Sequence, residues 1–541
     1  MPSYADLENE VWVGAGAAVT MIPESHIYLG ASVTYSGAEL TKTNANFTMV
    51  PDIYVGCTVK IHNATITQFA VVKSNTETKL VLGEAINTGF TSGDAATKAW
   101  ILPFGAPCPG TKPSSNATRR FATLSDNWLG LVNTFSPPSI DVELAQLSLA
   151  LAGTRNLKMQ YKKAETVSGA SLDTSMSHGA WFYYTLGRIS AIDHTASQVN
   201  DSAWAANDIV SSGADKTDLY RVLVGDNSSA KALWPPTNIA ADASHKLTSS
   251  NIVYTFAESN GQDLPSFSLE LTYEKEGIVP SQYYVGSNSR VTAHTNTDDD
   301  TMGSVDAAGN FETSHTEIFS RVFTGCQVNS MTLNFEESQE VKQSLDLVTR
   351  RAFDVPNGYH PKRGIRTGAA DNLDEFQNFK GMSVTDKLPY MFSQGELKLF
   401  GSIVSKVKSG SVTISNNIAP QRYIGNYNSE IISQHIPANR TYEVSLTMLI
   451  TDTDLWNDMR ASSGENLGAG TKIELKFSKD GNFTAGSDYF ILELQDFITQ
   501  SVDIPFPDDK GPLEVTATFS ARTLANCQYS GDWVILNQEN N

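Results

Sequence analysis

Apolar and polar residues alternate with a period of two along much of the chain, and the alternating runs end at glycine or polar turns, the pattern of half-buried antiparallel strands. Phe267-Ser-Leu-Glu-Leu-Thr-Tyr-Glu-Lys-Glu-Gly277 aligns without a gap with Thr471-Lys-Ile-Glu-Leu-Lys-Phe-Ser-Lys-Asp-Gly481. The correspondence continues on both sides. Ser171-Leu172 precedes Trp181 as Ser445-Leu446 precedes Trp456, with one extra residue in the second case. Downstream, Met331, Leu333 and Phe335 match Val502, Ile504 and Phe506, and Val341, Leu345 and Leu347 match Leu513, Ala517 and Phe519. A β-rich unit is therefore expected twice. Repetition of this kind points to rings, tubes and pseudo-symmetric assemblies.

The same pattern divides the chain. Residues 1–43 read as an N-terminal segment with a strand over 27–35, and residues 44–97 as a small inserted β subdomain with strands near 54–61, 66–72 and 79–83. A Gly/Pro-rich connection spans 98–117. The first module is expected at 118–350, swollen by polar insertions at about 190–262 and 280–315, then a linker at 351–394 and the second module at 395–541. Insertions of that length are usually functional, and one is expected to act as an arm ordered by a neighbouring subunit. Helices are scarce. The two expected, at 177–186 and 452–460, occupy equivalent places, with Asp452 or Thr453 able to cap the second.

Composition narrows the function classes. Hydrophobic residues make up 40% of the 541, enough for substantial cores, while the net charge of −20 argues against a protein that grips nucleic acid through Lys and Arg. Cys57, Cys108, Cys326 and Cys527 are far apart, with no metal-ligand spacing, and are expected to be reduced. An acidic N-terminus and the lack of an apolar run near 18 residues predict synthesis in a cytosol, without a secretory signal or membrane span. No nucleophile elbow, zincin, P-loop or dinucleotide motif occurs, and the nine histidines are scattered, so no enzyme activity and no catalytic, cofactor or metal site is expected. Asp298-Asp-Asp300 lacks the glycine and distal glutamate of a calcium loop and reads as a solvated turn. Trp181, Phe182 and Tyr184, with Trp456 as the repeated counterpart, read as packing or subunit-contact aromatics.

Several segments together resemble a known family. Gly153-Thr-Arg-Asn156, Val167-Ser-Gly-Ala-Ser-Leu-Asp173, His178-Gly-Ala-Trp-Phe-Tyr-Tyr-Thr-Leu-Gly187 and Phe323-Thr-Gly-Cys-Gln-Val-Asn-Ser-Met-Thr-Leu-Asn-Phe335 are similar to the major tail tube protein of long-tailed bacteriophages and related archaeal viruses. Ser411-Val-Thr-Ile-Ser-Asn-Asn-Ile418 and Arg440-Thr-Tyr-Glu-Val-Ser-Leu-Thr-Met448 resemble the C-terminal part of its longer members. The resemblance covers about 118–535 and leaves 44–97 without a counterpart.

The resemblance implies a mainly β protein with two tandem tail-tube-type β-sandwich or half-barrel modules. Its sheets would join those of neighbours into stacked rings around double-stranded DNA, which passes through without sequence-specific binding. Expected partners are further copies of the chain, in a trimeric ring of pseudo-sixfold symmetry over a hexamer, together with a tape measure protein, a tail terminator and baseplate or distal tail proteins; the location is the virion. Polar strand faces carrying Glu270, Glu274, Glu474 and Glu493 are expected to help line an acidic channel that DNA can slide through. Alternatives are a distal tail or baseplate hub protein of the same fold and, from another class, a carbohydrate-binding or degrading β protein.

Overall fold

Strict alternation dictates most strands. In Thr441-Tyr-Glu-Val-Ser-Leu-Thr-Met-Leu449 every second residue is buried, so one face of the strand meets the core and the other carries small polar groups. The computed structural model describes residues 17–24, 27–43, 49–63, 65–107, 131–147, 159–167, 169–193, 252–259, 264–276, 316–354, 388–404, 406–423, 431–449, 457, 472–484, 487–503 and 513–530. The expected insertions and the expected helix at 452–460 lie largely outside them.

The described residues begin with β1 (Ala17–Pro23), β2 (Ile27–Ala31), β3 (Thr34–Ser36), β4 (Glu39–Thr41), β5 (Thr58–His62), β6 (Thr67–Asn75), β7 (Lys79–Leu82) and β8 (Lys98–Ile101). Strands β2 to β8 form a seven-stranded antiparallel sheet in the order β2-β8-β5-β6-β7-β4-β3. This sheet takes in residues on both sides of position 44, because Ile27 pairs with Ile101 and Leu40 with Leu80. Its core includes Leu29, Val59, Ile61 and Val72, and it is closed from outside by Val322 and Phe353.

The main body follows: β9 (Leu131–Ser136), β10 (Ile140–Leu147), β11 (Met159–Val167), β12 (Ala170–Ser175), α1 (Ala180–Leu186), β13 (Gly187–Asp193), β14 (Ile252–Glu258), β15 (Phe267–Glu276), β16 (Thr316–Glu336), β17 (Lys342–Val348) and β18 (Arg351–Asp354). Then come β19 (Gly395–Leu399), β20 (Ser402–Ile403), β21 (Val407–Ser415), β22 (Ile418–Gln421), β23 (Gln434–Pro437), β24 (Thr441–Leu449), β25 (Lys472–Ser478), β26 (Tyr489–Asp503) and β27 (Glu514–Ser530). Fifteen of these strands, together with β1, form one sixteen-stranded antiparallel sheet system whose main path runs β20-β19-β25-β26-β27-β24-β21-β16-β17-β12-β9. Two small hairpins, β10-β11 and β22-β23, stand apart from it.

The pairing pattern occurs twice. Leu172 of β12 pairs with Leu345 of β17, which pairs with Met331 of β16; in the second half Leu446 of β24 pairs with Ala517 of β27, which pairs with Val502 of β26. Likewise Leu269 faces Phe323 as Ile473 faces Leu494. The irregularities coincide as well. A register shift between Val328 and Ser330 in β16 matches one between Thr499 and Ser501 in β26, and an extra residue at Asn133 in β9 matches Lys408 in β21. Bulges re-aim strands at defined points, so their coincidence ties the two halves together more tightly than alternation alone.

Strands β16 and β26 bend and change partners along their length, β16 passing from β15 and β18 to β17 and β21, and β26 leaving β25 after Gln495. Gly325 (φ 66°) and Asp496 (φ 57°) hold left-handed backbone at corresponding positions of the bends. At Gly325 a Cβ would lie 2.5 Å from the Cβ of Arg350, so a bare α-carbon is required. At Asp496 the carboxylate instead takes an ion pair from Arg522, the counterpart of Arg350, at 2.5 Å.

Helix α1 is buried at every residue and stops where Gly187 turns left-handed (φ 105°). Trp181 packs edge-on against Phe267 with ring centroids 5.6 Å apart, Phe182 stacks on Phe490 at 5.7 Å, and Tyr184 meets Phe267 at 4.9 Å. Burial of each such ring contributes about 1.5–3 kcal/mol, which pins α1 between the layers.

Candidate assembly surfaces

Within the main path, eight strands run consecutively as β9-β12-β17-β16-β21-β24-β27-β26. One face is core: Leu172, Leu345, Met331, Leu333, Val412, Ile414, Val444, Leu446, Ala517 and Phe519 belong to one hydrophobic cluster. The other face is built of small polar residues in cross-strand rows, such as Ser344, Thr332, Thr413, Glu443 and Ser520, or Glu336, Ser409, Thr447, Thr516 and Asp503. Hydroxyl pairs link neighbouring strands: Thr332 to Thr413 at 3.0 Å, Thr447 to Thr516 at 3.3 Å and Ser501 to Thr518 at 2.5 Å.

This face is acidic. Asp173, Glu336, Asp346, Glu443, Asp503 and Glu514 lie on it, against Lys342 and Lys408. Lys408 is held by Glu514 in an ion pair, which raises the lysine's pKa. The acids are therefore in surplus.

Of the four glutamates expected at a channel wall, Glu270 is buried within the protomer. Glu270, in β15, is 0% exposed, so its carboxylate is enclosed by the protomer instead of facing a channel; β1 and β16 flank β15, and the layers cover both its faces. Glu274 lies further along β15, opposite Ile318. Glu474 of β25 faces Glu493 in the first half of β26, where β26 pairs with both β25 and β27. Lys476 lies 2.8 Å from Glu474 and 3.6 Å from Glu493, and Lys472 lies 3.3 Å from Glu493. The hydrogen bond from Lys476 holds the Glu474 carboxyl below its ordinary range. These two acids are thus neutralised in a mixed ladder, where opposite charges offset the repulsion of the facing carboxylates. Trp181, Phe182 and Tyr184 pack inside the protomer, each about 1% exposed, and Trp456 lies outside the described residues.

The hydroxyl rows were readable as alternation in Ser409, Ser411, Thr413 and Ser415. Sequence carries no sign of which of several alternating strands share a sheet, so the acids of this face were not singled out.

A buried polar junction locks the N-terminal sheet to the main body. Glu24 accepts hydrogen bonds from the Gly325 and Gly105 amides, both at 2.7 Å, and from the Ser268 hydroxyl at 2.5 Å, while burial pushes its carboxyl pKa up. Arg350, 1% exposed, donates from Nε to the Ile432 carbonyl at 2.9 Å and lies 5.3 Å from the Phe104 ring centroid. His435 packs edge-on against Phe104 and meets Gln327 through Nδ1 at 3.1 Å. Burial, then the Arg350 charge, lowers the His435 pKa to about 3, so the ring is neutral, with Nδ1–H donating to the Gln327 carbonyl oxygen. Among the described residues no group of three or more His, Cys, Asp or Glu side chains is placed to hold a metal ion. Cys57, Cys326 and Cys527 are buried free thiols.

The described residues thus form an antiparallel β protein with one broad acidic sheet face. The model of the phage tail tube protein family matches residues 104–521, and the chain belongs to that family. A search of curated proteins gives no match. The seven-stranded N-terminal sheet lies ahead of the matched span.

Proposed function

We propose that this protein polymerises as stacked rings into the tail tube of a long-tailed virus, forming the conduit through which double-stranded DNA enters the host. The observation that carries the reading is the eight-stranded run, in which two equivalent four-strand sets, β9-β12-β17-β16 and β21-β24-β27-β26, lie side by side in one chain. Equivalent bulges and equivalent core pairs support an internal duplication, and a duplicated chain reaches sixfold character with three copies. The acidic hydroxyl-rich face is the lumen wall in this reading. It repels phosphates and holds none by counterion release, so the duplex slides. Tape measure, tail terminator and baseplate proteins are the partners such a tube requires, and the protein is a virion component made in the host cytoplasm.

The N-terminal sheet outside the matched span also suits a distal tail or hub ring. Copy number separates the two: a tube protein is among the most abundant proteins of the virion, and a hub forms a single ring. Electron microscopy of the purified protein and of virions, combined with quantitative proteomics, tests the proposal. Multi-ring tubes with a central channel support it; a single low-copy ring, or no ring in virions, overturns it.

A further inference from the structure

We infer that the outward face of the N-terminal sheet, which lies ahead of the span matched by the tail tube family, binds an acidic polysaccharide. Strands β2, β8, β5 and β6 alternate, so that residues such as Leu29, Ala99, Val59 and Ala70 turn into the core while their neighbours turn outward. The registers bring four of those neighbours into one row across the sheet. Tyr28 faces Trp100, Trp100 faces Lys60, and Lys60 faces Phe69. Lys98 faces His62 in the next row, two residues along.

The row is a stacking platform with a cation inside it. Tyr28 and Trp100 lie with ring centroids 5.7 Å apart, Lys60 Nζ stands 5.9 Å from the Trp100 centroid, and Phe69 is 55% exposed. Core packing gives no reason for an aromatic at position 69, because the hydrophobic cluster of this sheet lies on its opposite face. Trp100 and Phe69 are two strands apart, roughly 10 Å, the span of a disaccharide. The face of an aromatic ring is electron-rich, so the C–H side of a pyranose can lie on it. Two sugars seated over Trp100 and Phe69 bring the group between them above Lys60, where a carboxylate gains a charge-assisted hydrogen bond.

Charge selects the occupant. Strands β2, β5, β6 and β8 contain no Asp or Glu, although the chain has 59, and they carry Lys60, Lys73, Lys98 and His62. The face is locally basic on a chain of net charge −20. Single-stranded nucleic acid also stacks on aromatics, but a phosphate at every nucleotide demands a longer basic track and meets repulsion from the acidic remainder of the molecule. A polysaccharide with one acid group per repeat offers stacking surface at a far lower charge density. The buried contacts of Glu24 with Gly105 and Gly325, and of Arg350 with Cys57, fix the sheet to the main body and hold the face in place. An assembly of many copies would repeat the face and multiply a weak single-site affinity.

The test titrates the full chain, by calorimetry, with hyaluronan, alginate and galacturonate oligosaccharides, with uncharged malto-oligosaccharide and with oligothymidylate, all of equal length. At least one acidic sugar is expected to bind about tenfold more tightly than the uncharged sugar, the worth of one charge-assisted hydrogen bond, and more tightly than the oligonucleotide. Phe69→Ala, at an exposed position, should weaken that binding about fivefold through the loss of one stacked ring, with an unchanged melting midpoint. Lys60→Gln should bring the acidic sugar down to the level of the uncharged one. The assignment is overturned if no acidic sugar binds, if acidic and uncharged sugars bind alike, if the oligonucleotide binds best, or if Phe69→Ala leaves the affinity unchanged. Self-association that Phe69→Ala abolishes, without sugar binding, gives the face to a second copy and overturns it as well. Each readout is taken on the purified chain whether or not it forms rings, so none of them bears on the tube reading.

Discussion

Gly410 shows how finely the middle of the eight-stranded sheet is fitted. A Cβ there would lie 2.5 Å from Cζ of Phe335 and 2.7 Å from Cδ2 of Leu446, so the missing side chain is the space that Phe335 fills. Gly410→Ala is expected to cost about 1–3 kcal/mol through overpacking, read as a lower denaturation midpoint at unchanged slope. An unchanged midpoint would show that the ring is not held there. Gly105 is tighter still, with a Cβ 1.9 Å from Nη1 of Arg350 and φ at +75°, so Gly105→Ala should displace the guanidinium and loosen the N-terminal sheet. His435 gives this junction a pH dependence. Its pKa is about 3 folded against about 6.5 unfolded, so between those values the unfolded chain binds more protons. Stability from this group is complete above 6.5 and falls on acidification toward 3, by at most about 1.4 kcal/mol per pH unit. Glu24, whose carboxyl pKa is raised, acts oppositely, its contribution fading as pH rises above its ordinary 4.5. The difference between the wild type and His435→Gln isolates the histidine: the variant should lose stability less steeply between pH 6 and 4, and parallel curves would contradict the neutral, buried ring. None of this junction was legible in sequence, since its members are contributed by segments hundreds of residues apart.

At the scale of elements, alternation located most strands because one face of each meets the core. It named Glu270, Glu474 and Glu493 as polar-face residues, yet period two fixes only which residues share a face of one strand. It says nothing about which strands become neighbours or what covers them. Glu270 is enclosed between layers, and Glu474 and Glu493 pair with lysines where β25 meets the first half of β26. The bends of β16 and β26 were equally hidden, because a left-handed Asp496 carries no composition signal of the kind that Gly325 does. Helix α1 was legible, since four adjacent aromatic or large residues beside Leu186 demand burial. If the acidic face lines the channel, Glu336→Lys combined with Glu443→Lys should let phosphates bind the wall. Virions carrying both changes are expected to eject DNA more slowly at low ionic strength and to recover as salt rises. Ejection insensitive to the changes at every salt concentration would place this face elsewhere.

For the whole molecule, a repeated β unit was the expectation most plainly drawn from the sequence, through matched segments such as those ending at Gly277 and Gly481. The pairing equivalences, down to the bulges at Asn133 and Lys408, give that match a spatial counterpart. How the halves meet was not written there, because the β16–β21 ladder joins strands of different modules whose local patterns are indistinguishable from those of any other alternating strand. If the protein forms rings as proposed, the same ladder would let one chain stand for two subunits, because a joint between modules is made once inside the protomer. The most direct test is the stoichiometry of the ring, measured by cryo-electron microscopy of virion tails. Three chains per ring, each supplying two equivalent sectors to one continuous inner sheet, is the predicted result. Six chains per ring, or sectors that do not share backbone hydrogen bonds across the protomer boundary, would contradict it.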